Sequence, residues 1–154
     1  MSAREQLRRL RMNVAAAFRL LVRDPRSLLL TARMSLWIAV ISIVARLLPL
    51  PAMFRLAETR RRWSPPARLP AEEIARRIDR LFHAGLVKDG SCWKRAAVLR
   101  RYLLLSGIET EVVFGVRRED EDRLVGHAWL ERDGLPFLER EEPRYTVTFR
   151  YPPR

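Results

Sequence analysis

Cysteine, histidine and lysine are all scarce in this chain, and each scarcity excludes something. Cys92 is the single cysteine among 154 residues, so neither an intrachain disulfide nor a thiolate zinc cluster can form. Two histidines, His83 and His127, are too few for an ordinary structural metal site, and neither a metal nor another cofactor is expected. Only Lys88 and Lys94 break an otherwise all-arginine set of bases. Long uncharged runs are missing too. The longest, Met34 to Ala45, has 12 residues, short of the roughly 18–20 that cross a bilayer. The apolar stretch holding it starts only after residue 27, with no small-residue cleavage site following, so a signal peptide is not expected and a reducing cytosol is.

What is present is 48% hydrophobic and 31% charged, a balance that excludes a disordered, collagen-like or low-complexity chain. The length suits one domain, or a small domain with an appended element. The net charge of +12 is unevenly placed: residues 1–70 hold 14 arginines against three acids, and residues 71–154 hold 16 bases against 15 acids. The chain therefore reads as a basic, apolar helical region over 1–65 followed by a second domain over 66–154.

Residues 3–22 repeat Leu7, Leu10, Val14, Phe18 and Leu21 at helical spacing, and Asp24-Pro25 ends that amphipathic helix. A more apolar helix starts at Pro25 or Ser27 and runs to about Leu48, before Pro49 and Pro51. It suits a buried helix of a soluble protein. Arg33 and Arg46 flank its uncharged run and allow membrane-surface contact by snorkelling. Residues 58–70, with Arg60-Arg61-Arg62 and Pro65-Pro66, read as a connector. Pro70 opens a third helix with Ile74, Ile78, Leu81 and Phe82 as its apolar stripe and Gly85 as its stop. Ser91 caps a fourth, which places Cys92 in its first turn and ends at Gly107. Beyond Gly107 the period changes to that of strands: 109–116, then an acidic turn, 124–131, an Asp133-Gly134 turn, 135–139 and 145–151. Helices followed by an antiparallel meander imply an α+β fold.

Cys92 at a helix start is the first feature that bears on chemistry, because the macrodipole and free N–H groups there stabilise a thiolate. The bland alternative is a buried, inert cysteine. His127, mid-strand in Val125-Gly126-His127-Ala128-Trp129, is the candidate base, and it needs a third group to fix its tautomer. Nearby acids are Glu131, Asp133, Glu139, Glu141 and Glu142. Glu131 lies four residues along the same strand, roughly 13 Å away and too far to hold the ring. Glu139 falls opposite His127, with Cβ atoms about 5 Å apart, if Arg132-Asp133-Gly134 is a three-residue turn pairing 131 with 135. A two-residue Asp-Gly turn puts Arg140 there instead. Trp129, on the His127 face, either shields the pair or simply fills the core.

The ordered set Ser91-Cys92-x-x-Arg95-Ala96-x-x-Leu99, Leu103-x-x-x-Gly107-Ile108, Phe114-Gly115-Val116 and His127-Ala128-Trp129-Leu130-Glu131 resembles the transglutaminase-like leader peptidases of lasso-peptide biosynthesis, over roughly residues 70–140. The basic helices ahead of it are similar to the front of the stand-alone B-type version. The resemblance implies a transglutaminase/papain-like core, with the catalytic cysteine at a helix N-terminus packed on an antiparallel sheet, and a cysteine-histidine-acid triad that cuts the leader from a ribosomal precursor. Cys92 matches the nucleophile and His127 the general base and acid. Glu139 stands at the family's aspartate position, a departure by one methylene. Implied partners are the precursor peptide, a separate PqqD-like leader-binding protein and a macrolactam synthetase acting next.

Three rivals stand beside this reading. The same fold supports amide transfer or deamidation. An arginine-rich binding or scaffold protein, with an inactive transglutaminase-like domain, would grip anionic lipid, nucleic acid or a partner protein through residues 1–60. Against nucleic acid, the arginines are scattered around helices with large apolar stripes, and no recognised motif accompanies them. A pseudoenzyme that lost activity with the aspartate is the third.

Overall fold

The computed structural model describes residues 25–58, 69–83, 91–120, 123–139 and 141–152. The helix expected over 3–22, the Gly85 stop, the Ser91 side chain and most of the connector lie outside the described residues. The chain divides into two compact units, Met1–Met34 and Ser35–Arg154.

The first helix, α1 (Pro25–Val44), crosses from one unit to the next. Met34, Ile38 and Ile41 are buried along one stripe, whereas Leu36 and Ile43 are 62% and 61% exposed. The helix is thus buried on one side only. As a whole it is long and apolar enough to cross a membrane by length and composition, although its uncharged part is not. The regular helix ends at Val44, and tighter turns carry the chain on to Leu48, whose N–H bonds Val44 O at 2.9 Å, before Pro49, which has no N–H to continue the ladder.

A short helix that the sequence reading left unassigned follows, α2 (Leu50–Ala57). Pro49 sits extended at its cap, and Pro51 occupies the first turn, where a missing N–H costs nothing. Its Met53 and Phe54 are buried. Phe54 stacks on Tyr151 at 5.0 Å and meets Phe114 edge-on at 5.9 Å.

Helix α3 (Ala71–Leu81) buries Ala71, Ile74, Ala75 and Ile78, close to the stripe its spacing predicts. Helix α4 (Ser91–Leu105) is the central one, packing against α2, α3 and the sheet. Its Val98, Leu99 and Leu103 are fully buried. Gly107, at φ +81, stops it as expected: its N–H bonds Leu104 O at 3.0 Å while Ile108 N–H bonds Leu103 O at 2.9 Å, the paired arrangement of a left-handed helix terminus.

The strands are β1 (Glu111–Asp120), β2 (Arg123–Arg132), β3 (Leu135–Phe137) and β4 (Thr146–Tyr151). Their spatial order is β3-β2-β1-β4, with antiparallel neighbours throughout. The expected meander therefore holds for three strands only. The fourth crosses back to pair with β1, because β3 ends after three residues and the segment after it is long enough to return across the sheet.

The β2–β3 turn also departs from the sequence reading. Arg132 pairs with Leu135, so the turn has two residues, Asp133 at φ +54 and Gly134 at φ +80. Both positive angles match the turn whose twist suits a hairpin. The three-residue turn pairing 131 with 135 does not form.

Two buried charges are fully engaged. Arg100 donates to Thr110 O at 3.0 Å and to Glu58 Oε1 at 3.3 Å. Glu131 accepts from Trp129 Nε1 at 3.0 Å and pairs with Arg150. Gly115 lies opposite His127 in the β1–β2 ladder, and a Cβ there would lie 2.7 Å from Tyr145 Cβ, 2.9 Å from Trp129 Cη2 and 3.0 Å from Thr146 O. Two of these are backbone-linked and cannot swing away. Gly115→Ala should therefore destabilise the fold by about 1–3 kcal/mol, seen as a lowered Tm in thermal denaturation; an unchanged Tm would show that the strands give way freely.

Candidate active site

Cys92 is the second residue of α4, in the turn whose N–H groups have no partner within the helix. Contacts between α4 and β2 set this turn against the strand that carries His127. The Cys92 thiol shares a hydrogen bond with His127 and meets the backbone N–H groups of Ala128 and Trp93. These contacts favour the thiolate. The His127 hydrogen bond lowers the Cys92 pKa most, and burial opposes it without prevailing. His127 is correspondingly raised from 6.5 to about 9, first by Cys92 and then by Glu139, against burial. The two shifts describe one event, a proton held on the ring while the sulfur is charged.

Glu139 reaches the ring by a route the sequence reading did not foresee. In the ladder set by the two-residue turn, residue 140 would stand opposite His127. That ladder ends at Phe137, however, and Leu138, at φ +60, turns the chain off the sheet. Glu139 Oε2 then lies 3.7 Å from His127 Nε2, an ion-pair distance longer than a hydrogen bond. Its extra methylene adds reach. Glu131 is occupied elsewhere, on Trp129 and Arg150. His83 sits on the cleft rim with Nδ1 2.7 Å from Asp79 O.

The His127 ring is flanked by aromatics: Trp129 stacks at 6.0 Å and Tyr145 lies at 5.3 Å. Trp129 is 2% exposed, so filling the core and walling the ring are one task here. Cys92, His127 and Glu139 all line one cleft of about 940 Å³, joined by Asp79, Arg95 and Tyr145. The sequence reading gave Asp79, Arg95 and Tyr145 no role. The available signal was spacing, since Arg95 follows Cys92 by three residues and so shares its helix face. Among the described residues no group of three His, Cys, Asp or Glu side chains is arranged to hold a metal ion.

The family model of the transglutaminase-like superfamily matches residues 35–150. The chain belongs to that superfamily. Its α+β architecture, with N-terminal helices and an antiparallel sheet, fits a transglutaminase-like core. No curated protein and no solved structure matches the chain. Within this transglutaminase-like domain the matched stretch holds Cys92, His127 and Glu139 alike.

The paired shifts fix a pH window. Below the depressed Cys92 pKa both groups are protonated; above about 9 His127 loses its proton. Between these limits the thiolate–imidazolium pair persists. Because the folded His127 pKa exceeds its unfolded value, the stability it lends is full below about 6.5 and is lost as pH rises through about 9. Iodoacetamide should accordingly alkylate Cys92 at a pH below the ordinary thiol range. His127→Ala should slow alkylation at neutral pH by about tenfold or more, because the thiolate loses the partner that favours it most. Equal rates in the two proteins would contradict the pairing.

Proposed function

We propose that this transglutaminase-like protein is a cysteine peptidase that removes the leader from a ribosomally made lasso-peptide precursor. The observation that carries the peptidase reading is the sequence thiol, imidazole, carboxylate across one open cleft, with the thiol at a helix N-terminus. The lasso assignment rests on the motif order around Cys92, Gly107, Gly115 and His127.

In the proposed reaction, Cys92 Sγ attacks the scissile carbonyl carbon and the carbonyl π electrons move onto oxygen. The Cys92 N–H, at the start of α4, is suited to stabilise that oxyanion. With His127 Nε2 turned to Glu139, Nδ1 is left for exchange with sulfur and leaving group. The imidazolium gives its proton to the departing amine as the C–N bond breaks, leaving a thioester. Neutral His127 then takes a proton from water, whose oxygen attacks the thioester carbon; the C–S bond breaks as the acid leaves, and the sulfur departs as thiolate beside the imidazolium, which restores the starting pair. Glu139 stabilises the imidazolium through charge across the 3.7 Å gap. Trp129 and Tyr145 shield the ring from competing water.

The partners in this proposal are a PqqD-like leader-binding protein, which presents the precursor, and a macrolactam-forming synthetase, which consumes the released core peptide. Incubating precursor, leader-binding protein and enzyme, then weighing the products, tests the reading. Hydrolysis adds one water to the two fragments, whereas deamidation leaves the chain whole. Cys92→Ala should reduce cleavage by about a thousandfold or more. Full cleavage by that variant would overturn the proposal.

We also propose that the front of the chain holds this enzyme at an anionic bilayer surface. Leu36, Ile43 and Leu47 are 62%, 61% and 76% exposed, and residues 25–57 contain four arginines and no acid. An apolar face bordered by arginine suits the boundary between headgroups and acyl chains. The protein should sediment with phosphatidylglycerol vesicles and not with phosphatidylcholine vesicles, and Leu36→Glu with Ile43→Glu should abolish sedimentation. Binding that is indifferent to these changes would refute the location.

A further inference from the structure

Arg95 lies one helical turn beyond Cys92. Its side chain is 22% exposed and engages groups from two other parts of the fold. Its Nε donates to Asp79 Oδ1 on α3 at 2.6 Å, and its Nη2 reaches Asp79 Oδ2 at 3.4 Å. Nη1 donates to Glu139 Oε1 at 3.0 Å, and Nη2 also reaches Leu138 O at 3.3 Å. One guanidinium thus ties α3 and α4 to the segment that leaves β3.

The two oxygens of Glu139 are divided between neighbours. Oε1 is taken by Arg95, and Oε2 faces His127 Nε2 at 3.7 Å. This division matters because Glu139 stands beyond the last ladder pair of β3, so sheet registry does not fix its position. A glutamate side chain free to rotate would spend little time with one oxygen on the ring, since ordering it costs rotamer entropy. A planar guanidinium, itself anchored on Asp79, supplies the orientation beforehand.

We propose that Arg95 is a positioning residue: its fork holds the Glu139 carboxylate with one oxygen toward His127, and it acts on the Cys92–His127 pair only through Glu139. The inference rests on the reading of Cys92, His127 and Glu139 as a triad. It contrasts with a screening role, in which the Arg95 charge would merely weaken the pull of Glu139 on the ring. The two roles have opposite consequences. Losing a clamp lets the carboxylate drift and the thiolate weaken; losing a screen strengthens the imidazolium and with it the thiolate.

Iodoacetamide alkylation of Cys92, followed by mass across a pH series, separates them without needing the substrate. Arg95→Met should move the midpoint upward, with about a tenfold lower rate near neutral pH, or one pKa unit. Glu139→Gln should give a similar drop, and the double variant no further loss, as expected when two residues act as a unit. An unchanged or lowered midpoint in Arg95→Met, with Glu139→Gln still impaired, overturns the inference alone. Losses that multiply in the double variant also overturn it. An intact profile in Glu139→Gln overturns the triad reading and the inference with it. Should Arg95→Met fail to fold by thermal denaturation, Arg95→Lys decides: a point charge that cannot span Asp79 and Glu139 should shift the midpoint in the same direction by a smaller amount, and a wild-type profile overturns the clamp.

Discussion

The shared proton between Cys92 and His127 depends on one packing contact, the first turn of α4 against the middle of β2. A helix start alone favours a thiolate modestly, and a half-buried imidazole alone would tend to lose its proton. Set together, each group supplies the charge that the other needs, and the raised His127 and lowered Cys92 pKa values follow. The rest of the fold serves that contact. Buried Val98, Leu99 and Leu103 fix α4 on the core, Gly115 leaves room for the Trp129 ring and for Tyr145 Cβ, and Glu131 with Arg150 holds the Trp129 indole.

Much of this was legible from residue order. Gly107 stops α4 because an L side chain resists the positive φ that the terminus needs, and a glycine after an apolar stripe announces that stop. Strands β1 and β2 announce themselves by β-branched and aromatic residues between turn signals, and consecutive residues are buried along both, Val112-Val113 and Ala128 to Glu131. Cys92 and His127 stood out because their types and local settings carry chemistry. What stayed hidden depends on choices between near-equal local alternatives. Asp133-Gly134 suits both a two-residue and a three-residue turn, and only the strand twist selects the first. Helix α2 is too short to show a period, and its two prolines read as breakers although they occupy capping positions. Arg95 stood in the motif around Cys92 without a role, since nothing local reveals that Asp79 and Glu139 converge on it.

The uneven charge takes on a different meaning with the fold in view. In the second part of the chain charges are matched: at the cleft Arg95 answers Asp79 and Glu139, and away from it Arg150 answers Glu131 and Glu111. Residues 25–57 carry four arginines and no acid, and Leu36 and Ile43 of α1 are exposed.

Leu138 gives the molecule a mechanical freedom that a longer strand would deny it. A residue inside a sheet can be moved only by whole steps of the ladder, each of which swaps faces. By leaving the ladder one residue before the acid, the chain makes the carboxylate a separately adjustable part, set by ion pairing and side-chain length. Such a part can be lengthened or shortened by a methylene without shifting a strand, because the difference is absorbed in a bend that no neighbouring strand has to follow.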